Sequence, residues 1–320
     1  MQDDWRVRTN LKLTFGLRYE FYDIPKARGN APLEISRKFN RDTNNFAPRF
    51  GLAYSIGNTR KTIFRASAGI FYADGRAIFG TGARPNPDFN NIDITESVGR
   101  SEYNAGTFSL NKRFSRGYQL NASYTWSHGI DNAPEINIID STEFPADPTN
   151  RRFDRGNSLA DQRHTFILSS VISPTFDISN RFANALVNGN QFGIIARANS
   201  GFRVNVRGNR DLNGDGIATN DRPLFIGRNI ETTGTVRQLD LRYSRLITIR
   251  ESMKIEIIGE FTNIFNIVNV SSVNQVVPVN TDGSLVASTT PNILTTDNKK
   301  LIATGGFPQR IFQLGFKFRF

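Results

Sequence analysis

Residues 310–320, RIFQLGFKFRF, alternate between two kinds of side chain from one position to the next. One face of this stretch carries four phenylalanines and a leucine, which are Phe312, Leu314, Phe316, Phe318 and Phe320. The other face carries small, amide or cationic side chains, among them Lys317 and Arg319. A period of two is that of a β-strand. Apolar aromatics opposite cations are typical of a strand with lipid on one side and a wet lumen on the other, so the stretch predicts a transmembrane β-strand.

The same alternation recurs along the chain. Its longest run, residues 11–21, has apolar or aromatic side chains at every odd position. That length matches the about 9–11 residues of a tilted membrane strand. Further runs lie at residues 49–56, 64–72, 108–126, 164–172, 192–207, 239–244 and 253–265. With a first strand near residues 4–8, the pattern predicts about eleven strands, and no segment shows convincing helical periodicity.

The connections between these runs alternate in length. Short connections lie at residues 9–10, 57–60, 115–117 and 250–252, and the intermediate 173–189 takes a short place in the series. Long connections lie at residues 23–45, 74–100, 128–163, 208–235 and 267–308. Short turns at one rim and long loops at the other are typical of an outer-membrane barrel, with the long loops outside the cell. The fold predicted is therefore all-β, an antiparallel transmembrane β-barrel in the outer membrane.

The amino-acid composition agrees with this fold and limits the classes of site and partner that the protein can have. The 320 residues include no cysteine, so disulfides and thiolate metal sites are excluded. The mean hydropathy is −0.39, and no apolar run approaches the about 20 residues of a membrane helix. The net charge is +11, but the basic residues are spread along the whole chain. This spread favours a polar lumen and solvated loops over a nucleic-acid surface, and we expect no nucleic-acid partner.

Two features predict that strands precede this chain in its parent protein. The first residues, MQDDWRVRTN, contain neither the cationic nor the apolar region of a secretion signal. In addition, an odd number of strands cannot close with its first and last strands antiparallel, and bacterial single-chain barrels use even numbers. The expectation is that the terminal strand pairs with a strand upstream of Met1.

Five motifs, in order, carry a family resemblance. They are QDDWRV with LKLTFGLRYEFYD at residues 2–23, YQLNASYTWSHGIDNA at 118–133, DPTNRRFDRGNSLADQRHTF at 147–166, DLNGDGIATNDRP at 211–223 and GEFTNIFNIVNV at 259–270. Together they resemble the C-terminal barrel half of TonB-dependent receptors of the Oar-like type. The resemblance covers nearly the whole chain.

The resemblance implies a barrel of about 22 strands with a plug in its lumen, preceded by a carboxypeptidase-regulatory-like β domain and energised through a TonB box. Residues 1–320 would be the C-terminal part of that barrel, without the plug or the N-terminal domain. The function implied is capture of an unidentified substrate and its uptake across the outer membrane. The implied partners are outer-membrane lipid, lipopolysaccharide, the barrel assembly machinery and, through the missing N-terminal region, the TonB complex.

Two other functions fit the same alternation. One is a passive porin-like channel of about twelve strands that is complete in itself. The other is a surface adhesin-type β protein without transport. What lies upstream of Met1 separates the first alternative from a transporter, and partition into the outer-membrane fraction separates the second.

One loop resembles the start of a calcium-binding loop. D-x-N-x-D-G places oxygen ligands at alternate positions before a glycine that permits a sharp turn. The candidate ligands are Asp211, Asn213, Asp215, Thr219 and Asp221. Position twelve, where a bidentate acid belongs, is Arg222, so a Gly/Asn/Asp-rich turn without metal is the alternative. Ca²⁺ in this extracellular loop is the one cofactor the sequence suggests.

Catalysis has little support. The two histidines are His128 and His164, with Ser127 and Asp161 near them in the chain. A catalytic triad is a matter of geometry, which adjacency does not supply. Polar residues at strand ends explain these positions, so we assign no catalytic residues and predict that the protein is not an enzyme.

Cations and the terminal strand each have two interpretations. Cations on the polar faces either attract an anionic substrate or pair with acids of neighbouring strands, namely Glu20, Asp240, Glu256 and Glu260. Loop cations Arg151, Arg152 and Arg155 are suited to lipopolysaccharide phosphates.

The alternating face that ends in Phe320 resembles the signal by which the assembly machinery recognises its clients, and it is also simply a lipid-facing strand.

Overall fold

The computed structural model describes residues 2–21, 28–30, 45–57, 62–77, 96–132, 152–213, 220–223, 226–250, 252–286 and 301–320, with positions 26, 37, 43, 146, 150 and 218. The elements, in chain order, are β1 (Gln2–Arg8), β2 (Leu11–Glu20), β3 (Asn45–Ile56), β4 (Thr62–Ala77), β5 (Glu96–Ser115), β6 (Tyr118–Asp131), β7 (Gly156–Asn157), β8 (His164–Ile172), α1 (Arg181–Val187), β9 (Asn190–Asn199), β10 (Arg203–Val204), β11 (Arg207–Gly208), β12 (Glu231–Thr232), β13 (Val236–Arg250), β14 (Met253–Thr262), β15 (Val270–Val273), β16 (Val276–Val277), β17 (Ala303–Gly306) and β18 (Ile311–Arg319).

Eleven of these strands form one antiparallel sheet, which we call the wall. Its order is β1-β2-β3-β4-β5-β6-β8-β9-β13-β14-β18, and the two-residue β7 adds to the end of β6. The strand count and the all-β antiparallel fold predicted from the sequence are confirmed. β1 and β18 are the two ends of this order, and within the described residues they do not pair with each other, so the wall is an open sheet.

One face of the wall, the apolar face, carries aromatic and aliphatic side chains in rows across the strands. A single row joins Phe15, Phe50, Ala68, Gly106 and Trp126. The rings of Phe15 and Phe50 are 5.3 Å apart, and those of Phe261 and Phe312 are 4.6 Å apart. Phe316 is nevertheless 70% exposed. An apolar face that remains open over a whole sheet requires a covering medium rather than water.

The opposite face, the polar face, is held by polar contacts between neighbouring strands. The hydroxyls of Thr107 and Thr125 lie 3.0 Å apart. Arg242 faces Glu260 across β13 and β14, and their charged atoms are 3.0 Å apart. Apolar and polar side chains are thus sorted to the two faces as the alternation predicts.

Short connections lie at one end of the wall and long loops at the other. β5 and β6 are joined by Arg116 and Gly117, with φ of 52° and 81°, the two positive values of a tight hairpin turn. The loop between β4 and β5 is shorter than predicted, because β4 continues to Ala77 and β5 begins at Glu96. Residues 74–77 and 96–100, predicted as loop, therefore lie in strands.

Two predictions at the ends of β9 and β8 are wrong. Residues 202–207 do not continue a wall strand, because β9 ends at Asn199. Beyond it, the side chains of Val204 and Val206 are buried among the loops. The absence of helix is also wrong, since α1 spans two turns after the N-cap Asn180. A helix this short shows no clear periodicity in sequence. No helix in the described part of the chain is long and apolar enough to cross a membrane.

Candidate functional site at the long-loop end

The described parts of two long loops, residues 200–235 and 263–310, fold together at the long-loop end. β10 pairs with β12 inside the first loop, and β15 pairs with β17 inside the second. A parallel ladder of β11 and β16 joins one loop to the other. These ladders surround a buried cluster, the loop core, made of Val204, Val206, Ile226, Val273, Val277 and Val279.

The loop core packs the two loops against each other. Val206 is 0% exposed and Val277 is 1% exposed. Each fully buried valine contributes roughly 1.5–3 kcal/mol. The six side chains of the loop core are buried, whereas many large apolar side chains of the wall are exposed. The rim loops are therefore a packed unit rather than solvated hairpins.

The first loop leaves β9 and returns to β13 through a close contact between two backbone segments, at Gly201 and Gly234, which we call the neck. A Cβ built on Gly201 would lie 2.3 Å from the carbonyl oxygen of Gly234. Gly234 has a φ of 95°, which L side chains rarely adopt. Both glycines are thus required where the loop leaves β9 and returns to β13.

A third loop, residues 128–163, joins this unit through Asp161. Its carboxylate is 0% exposed and accepts hydrogen bonds from the backbone N–H of Gly129 at 2.9 Å and from Arg203 Nε at 2.8 Å. Arg203 Nη2 lies 2.6 Å from the same oxygen, Asp161 Oδ2. A buried carboxylate with these donors ties the end of β6 to β10.

Two more buried ion pairs connect the same loops. Arg222 Nη1 lies 2.9 Å from Asp154 Oδ1, and its Nη2 donates to the carbonyl oxygen of Phe153 at 2.8 Å. Arg228 donates to the carboxylate of Asp131. Burial lowers the pKa of Arg228 to about 10, so the guanidinium remains charged at neutral pH and the pair is ionic.

β7 adds a close fit between the third loop and the first. A Cβ on Gly156 would lie 2.7 Å from the carbonyl oxygen of Arg228. Beside it, Asn157 bonds to Asn229. Residues 156–157 therefore pack closely against residues 228–229.

Asparagines shape the last long loop where it leaves β14. Asn263, with a φ of 50°, accepts from the N–H of Ile267 at 3.0 Å and donates to its carbonyl at 2.9 Å. Asn269 binds the backbone of Arg237 on both sides, at 2.8 and 2.7 Å. Asn266 accepts from the N–H of Arg310 at 3.0 Å. These side chains replace backbone partners that the turn lacks.

The predicted calcium ligands divide between described and undescribed positions. Asp215 and Thr219 lie outside the described residues. Asp221 is 4% exposed and accepts from the N–H of Leu212 at 2.6 Å, which closes the turn. Asn213 donates to the carbonyl of Ala146 at 2.9 Å. No three Asp, Glu or His side chains lie together as metal ligands would in the described part, so the calcium site remains a prediction.

The residues near the two histidines have separate partners. His164 Nδ1 lies 2.8 Å from the hydroxyl of Tyr124 on the apolar face. His128 Nε2 lies 3.2 Å from Asn157 Oδ1. Ser127 donates to the carbonyl of Gln162 at 2.7 Å, and Asp161 is bound to Arg203.

Pairing of cations on the polar face is confirmed for two of the predicted acids. Glu260 pairs with Arg242 at 3.0 Å, and Glu256 with Arg319 at 2.9 Å. Asp240 instead accepts from Gln238 and from the N–H of Asn263. The side chain of Glu20 is not described.

The remaining predicted sites stay predictions. Arg152 and Arg155 are exposed at the rim, and Arg155 Nη2 is 3.7 Å from Glu102, which leaves lipopolysaccharide binding open to test. Arg151 lies outside the described residues. β18 presents its alternating face as expected, with Phe320 99% exposed.

The buried ion pairs were not predicted from the sequence. Asp154, Asp161 and Arg222 lie within the motifs of residues 147–166 and 211–223, which marked the right segments without assigning a role. Arg203 and Arg228 lie outside any motif. Their partners are 42 and 97 positions away in the chain, a separation that no local pattern reports.

Residues 1–82 and 76–236 match the model of a protein family described as an outer membrane beta barrel domain. Curated protein sequences give no match.

Solved structures resemble the wall over nearly its whole length. FpvA of P. aeruginosa, described as bound to heterologous pyoverdines, has a TM-score of 0.53 at 9% identity over 98% of this chain and 32% of its own. The siderophore receptor PiuA from Acinetobacter baumannii has 0.54 at 7%, over 99% and 35%. The outer membrane transporter YddB from Escherichia coli has 0.52 at 12%, over 98% and 39%. The chain therefore spans little more than a third of these structures, and the likeness establishes the fold.

Proposed function

The chain belongs to the outer membrane beta barrel domain family, and we propose that it forms the C-terminal part of the barrel of a TonB-dependent, Oar-like transporter. In this proposal the rim loops capture a substrate, which then passes through the gated lumen. The outer-membrane location and the transmembrane β-barrel fold are those predicted from the sequence. The apolar face of the wall then faces lipid, the short turns face the periplasm and the long loops face the exterior.

The packed rim carries the proposal. Three loops are joined by the loop core, by buried ion pairs such as Asp161 with Arg203, and by the β11–β16 ladder. A capture surface gains affinity when its loops are ordered before the ligand arrives, because less conformational entropy is lost on binding. Ordered, interlocked loops support capture over a simple solvated channel mouth.

The solved structures support uptake as the general function. FpvA is described as bound to pyoverdines, PiuA as a siderophore receptor and YddB as an outer membrane transporter. We accordingly propose uptake rather than catalysis for this chain. A siderophore-sized ligand at the rim is one candidate substrate class, and the loops would set which compound is taken up.

The extent of the match supports a larger parent barrel. This chain covers 32–39% of the three solved structures. β1 and β18 stand at opposite ends of the strand order, where further strands would add. The TonB complex would then act through a region outside this chain, while the barrel assembly machinery and lipopolysaccharide would meet the terminal strand and the rim.

Growth on limiting nutrients tests active transport. A strain lacking this gene should lose growth on a particular nutrient, and a strain lacking TonB should lose growth on the same nutrient. Growth that depends on the gene but persists without TonB would overturn the proposal in favour of a passive channel. A matched control expresses the wild-type gene from a plasmid in the deletion strain.

The passive channel of about twelve strands is tested separately. The purified full-length protein is added to a planar lipid bilayer. A plugged transporter gives no stable open-channel conductance, whereas a porin-like channel gives discrete steps. Such steps from the intact protein would contradict the transporter proposal even if a growth phenotype were found.

A further inference from the structure

α1 lies in the connection between β8 and β9, at the short-turn end of the wall, which the proposed function places at the periplasm. Asn180 caps its start, and the Asn180 Oδ1 oxygen accepts from the N–H groups of Phe182 and Ala183 at 3.0 and 3.1 Å. The segment before the helix is pinned as well, because Asn188 bonds to both the N–H and the carbonyl of Phe176 at 2.8 Å. The helix is therefore rigidly placed despite its short length.

The last four carbonyl groups of α1 all have partners. Asn184 O accepts from the N–H of Asn188 at 3.0 Å. Ala185 O accepts from Arg245 Nη2 at 2.6 Å. Leu186 O and Val187 O accept from Asn190 Nδ2 at 3.5 and 2.6 Å. Helix ends in water leave such groups to the solvent, whereas a membrane environment requires internal partners.

Two of these partners, Asn190 of β9 and Arg245 of β13, lie on the apolar face of the wall and face each other. Arg245 alternates with Tyr243 and Ile247 on one side of β13. The ring of Tyr243 packs 5.3 Å from that of Phe192, and its hydroxyl donates to Asn190 Oδ1 at 2.7 Å. The C-terminal end of α1 is thus bound to the lipid side of the wall rather than to the lumen.

Apolar side chains of the helix remain uncovered by protein. Phe182 is 82% exposed and Leu186, one turn later, is 66% exposed. Phe176 adds a third apolar side chain, 49% exposed. Exposure of these apolar side chains to water is unfavourable, so they require an apolar cover.

We propose that α1 lies in the periplasmic leaflet of the outer membrane as an interfacial anchor that binds phospholipid. Phe182 and Leu186 enter the acyl region, and the guanidinium of Arg245 meets a phospholipid phosphate with the donors that Ala185 leaves unused. The apolar face to which Arg245 and Asn190 bind the end of the helix is the lipid-facing surface, so lipid covers α1 by continuity. Arginine and tyrosine beside an apolar helix match the chemistry of a membrane interface.

Spin-label accessibility tests the depth of the helix. The chain has no cysteine, so Phe182→Cys and Leu186→Cys each introduce one labelling site. In liposomes, collision of these labels with a water-soluble nickel chelate should be about tenfold slower than at Asp282→Cys, because the chelate is excluded from hydrocarbon. Phe316→Cys, on the wall itself, is the lipid-exposed control. Labels at both helix positions that match Asp282→Cys would overturn the proposal and leave the face to a protein partner.

Phospholipid binding at Arg245 has its own test. Adding phosphatidylglycerol to the detergent-solubilised protein should raise its melting temperature, and Arg245→Gln should remove most of that rise. Arg250→Gln, an exposed arginine at the end of the same strand, is the matched control. An equal lipid-dependent rise in wild type and Arg245→Gln would contradict phosphate binding, whatever the basal stability of the variant.

Discussion

Asn157 and Asn229 each donate a side-chain hydrogen bond to the other's backbone carbonyl. Asn157 Nδ2 lies 3.1 Å from Asn229 O, and Asn229 Nδ2 lies 2.7 Å from Asn157 O. The two residues are 72 positions apart and belong to different rim loops. This reciprocal pair is a direct link between the third loop and the first.

Replacing Asn157 by Ala should loosen both loops. A lost hydrogen bond costs about 1 kcal/mol, which corresponds to about fivefold faster amide exchange in the two loops. Hydrogen–deuterium exchange of the assembled protein measures this. Asn280→Ala is the control, since its bond to Ser284 stays within one loop. Unchanged exchange around residue 229 in Asn157→Ala would contradict the link.

Asn229 carries a second constraint that a pair of variants separates. Its φ is 53°, a conformation that costs an L residue without a short polar side chain about 1 kcal/mol. Asn229→Gly removes the hydrogen bond that the Asn229 side chain donates to the Asn157 carbonyl but tolerates this φ, whereas Asn229→Ala loses the same bond and also strains the backbone. Exchange should therefore be faster in the alanine variant, and equal rates would show that backbone strain is negligible here.

Removing the Asp161 carboxylate should destabilise the rim strongly. Asp161→Ala leaves Arg203 buried without its counter-charge, which costs about 3–5 kcal/mol. Glu260→Ala breaks a pair whose side chains are 50% and 41% exposed, and it should cost about 0–1 kcal/mol. Limited proteolysis of the rim at increasing urea concentration measures the difference. Equal protease resistance in the two variants would contradict a role for Asp161 in holding the loops.

Gly201 should not accept a side chain. Gly201→Ala places a Cβ against the backbone of Gly234, so one strand end must move, at a cost of about 1–3 kcal/mol. Gly29→Ala is the control, because no atom lies within 4 Å of its Cβ. The rim of Gly201→Ala should become protease-sensitive while the wall keeps its heat-modifiable mobility in gels. A protected rim would show that the neck can open without loss.

Calcium binding in the first loop is tested with terbium luminescence on the folded protein. If the predicted ligands hold Ca²⁺, Asp215→Ala should weaken terbium affinity about tenfold or more, because an anionic ligand is lost. Asp282→Ala, in the other loop, should leave affinity unchanged. Absence of any terbium site in the wild type would remove the prediction and leave a metal-free turn.

Loss of Phe320 should reduce assembly rather than stability. Its side chain is 99% exposed, so its deletion removes almost no packing. A several-fold fall in assembled, heat-modifiable protein in cells would therefore reflect recognition by the assembly machinery. Phe265→Ala, 68% exposed at the opposite end, should assemble normally. Normal assembly without Phe320 would leave β18 with a structural role only.

The wall was predictable because its signal is local. Each strand contacts lipid on one face and polar surroundings on the other, so alternation is present within any ten residues, as at residues 11–21. Residues 202–207 show the limit of this signal. Val204 and Val206 alternate with polar side chains as a wall strand does, but they are buried in the loop core. Alternation indicates that one side of a strand has an apolar neighbour, but it does not show whether that neighbour is lipid or the protein's own core.

The rim was less predictable because its contacts are distant in sequence. Asp161 with Arg203, and Asp131 with Arg228, meet only once the strands between them are in place. Motifs marked the loop segments, and the charges in them suggested a turn or lipopolysaccharide contacts rather than buried pairs. Helix α1 was missed because its placement depends on Asn180, Asn190 and Arg245, which come together only in the folded chain.

The parallel β11–β16 ladder also determines which epitopes the rim loops present to antibodies. It sets Arg207 beside Val276, whose side chain is 41% exposed, so neighbouring points at the rim surface come from separate stretches of chain. A synthetic peptide copied from either loop would lack half of such an epitope. Immunisation against the outer face of this protein therefore calls for the folded rim as antigen, since antibodies raised to linear fragments would recognise the denatured chain.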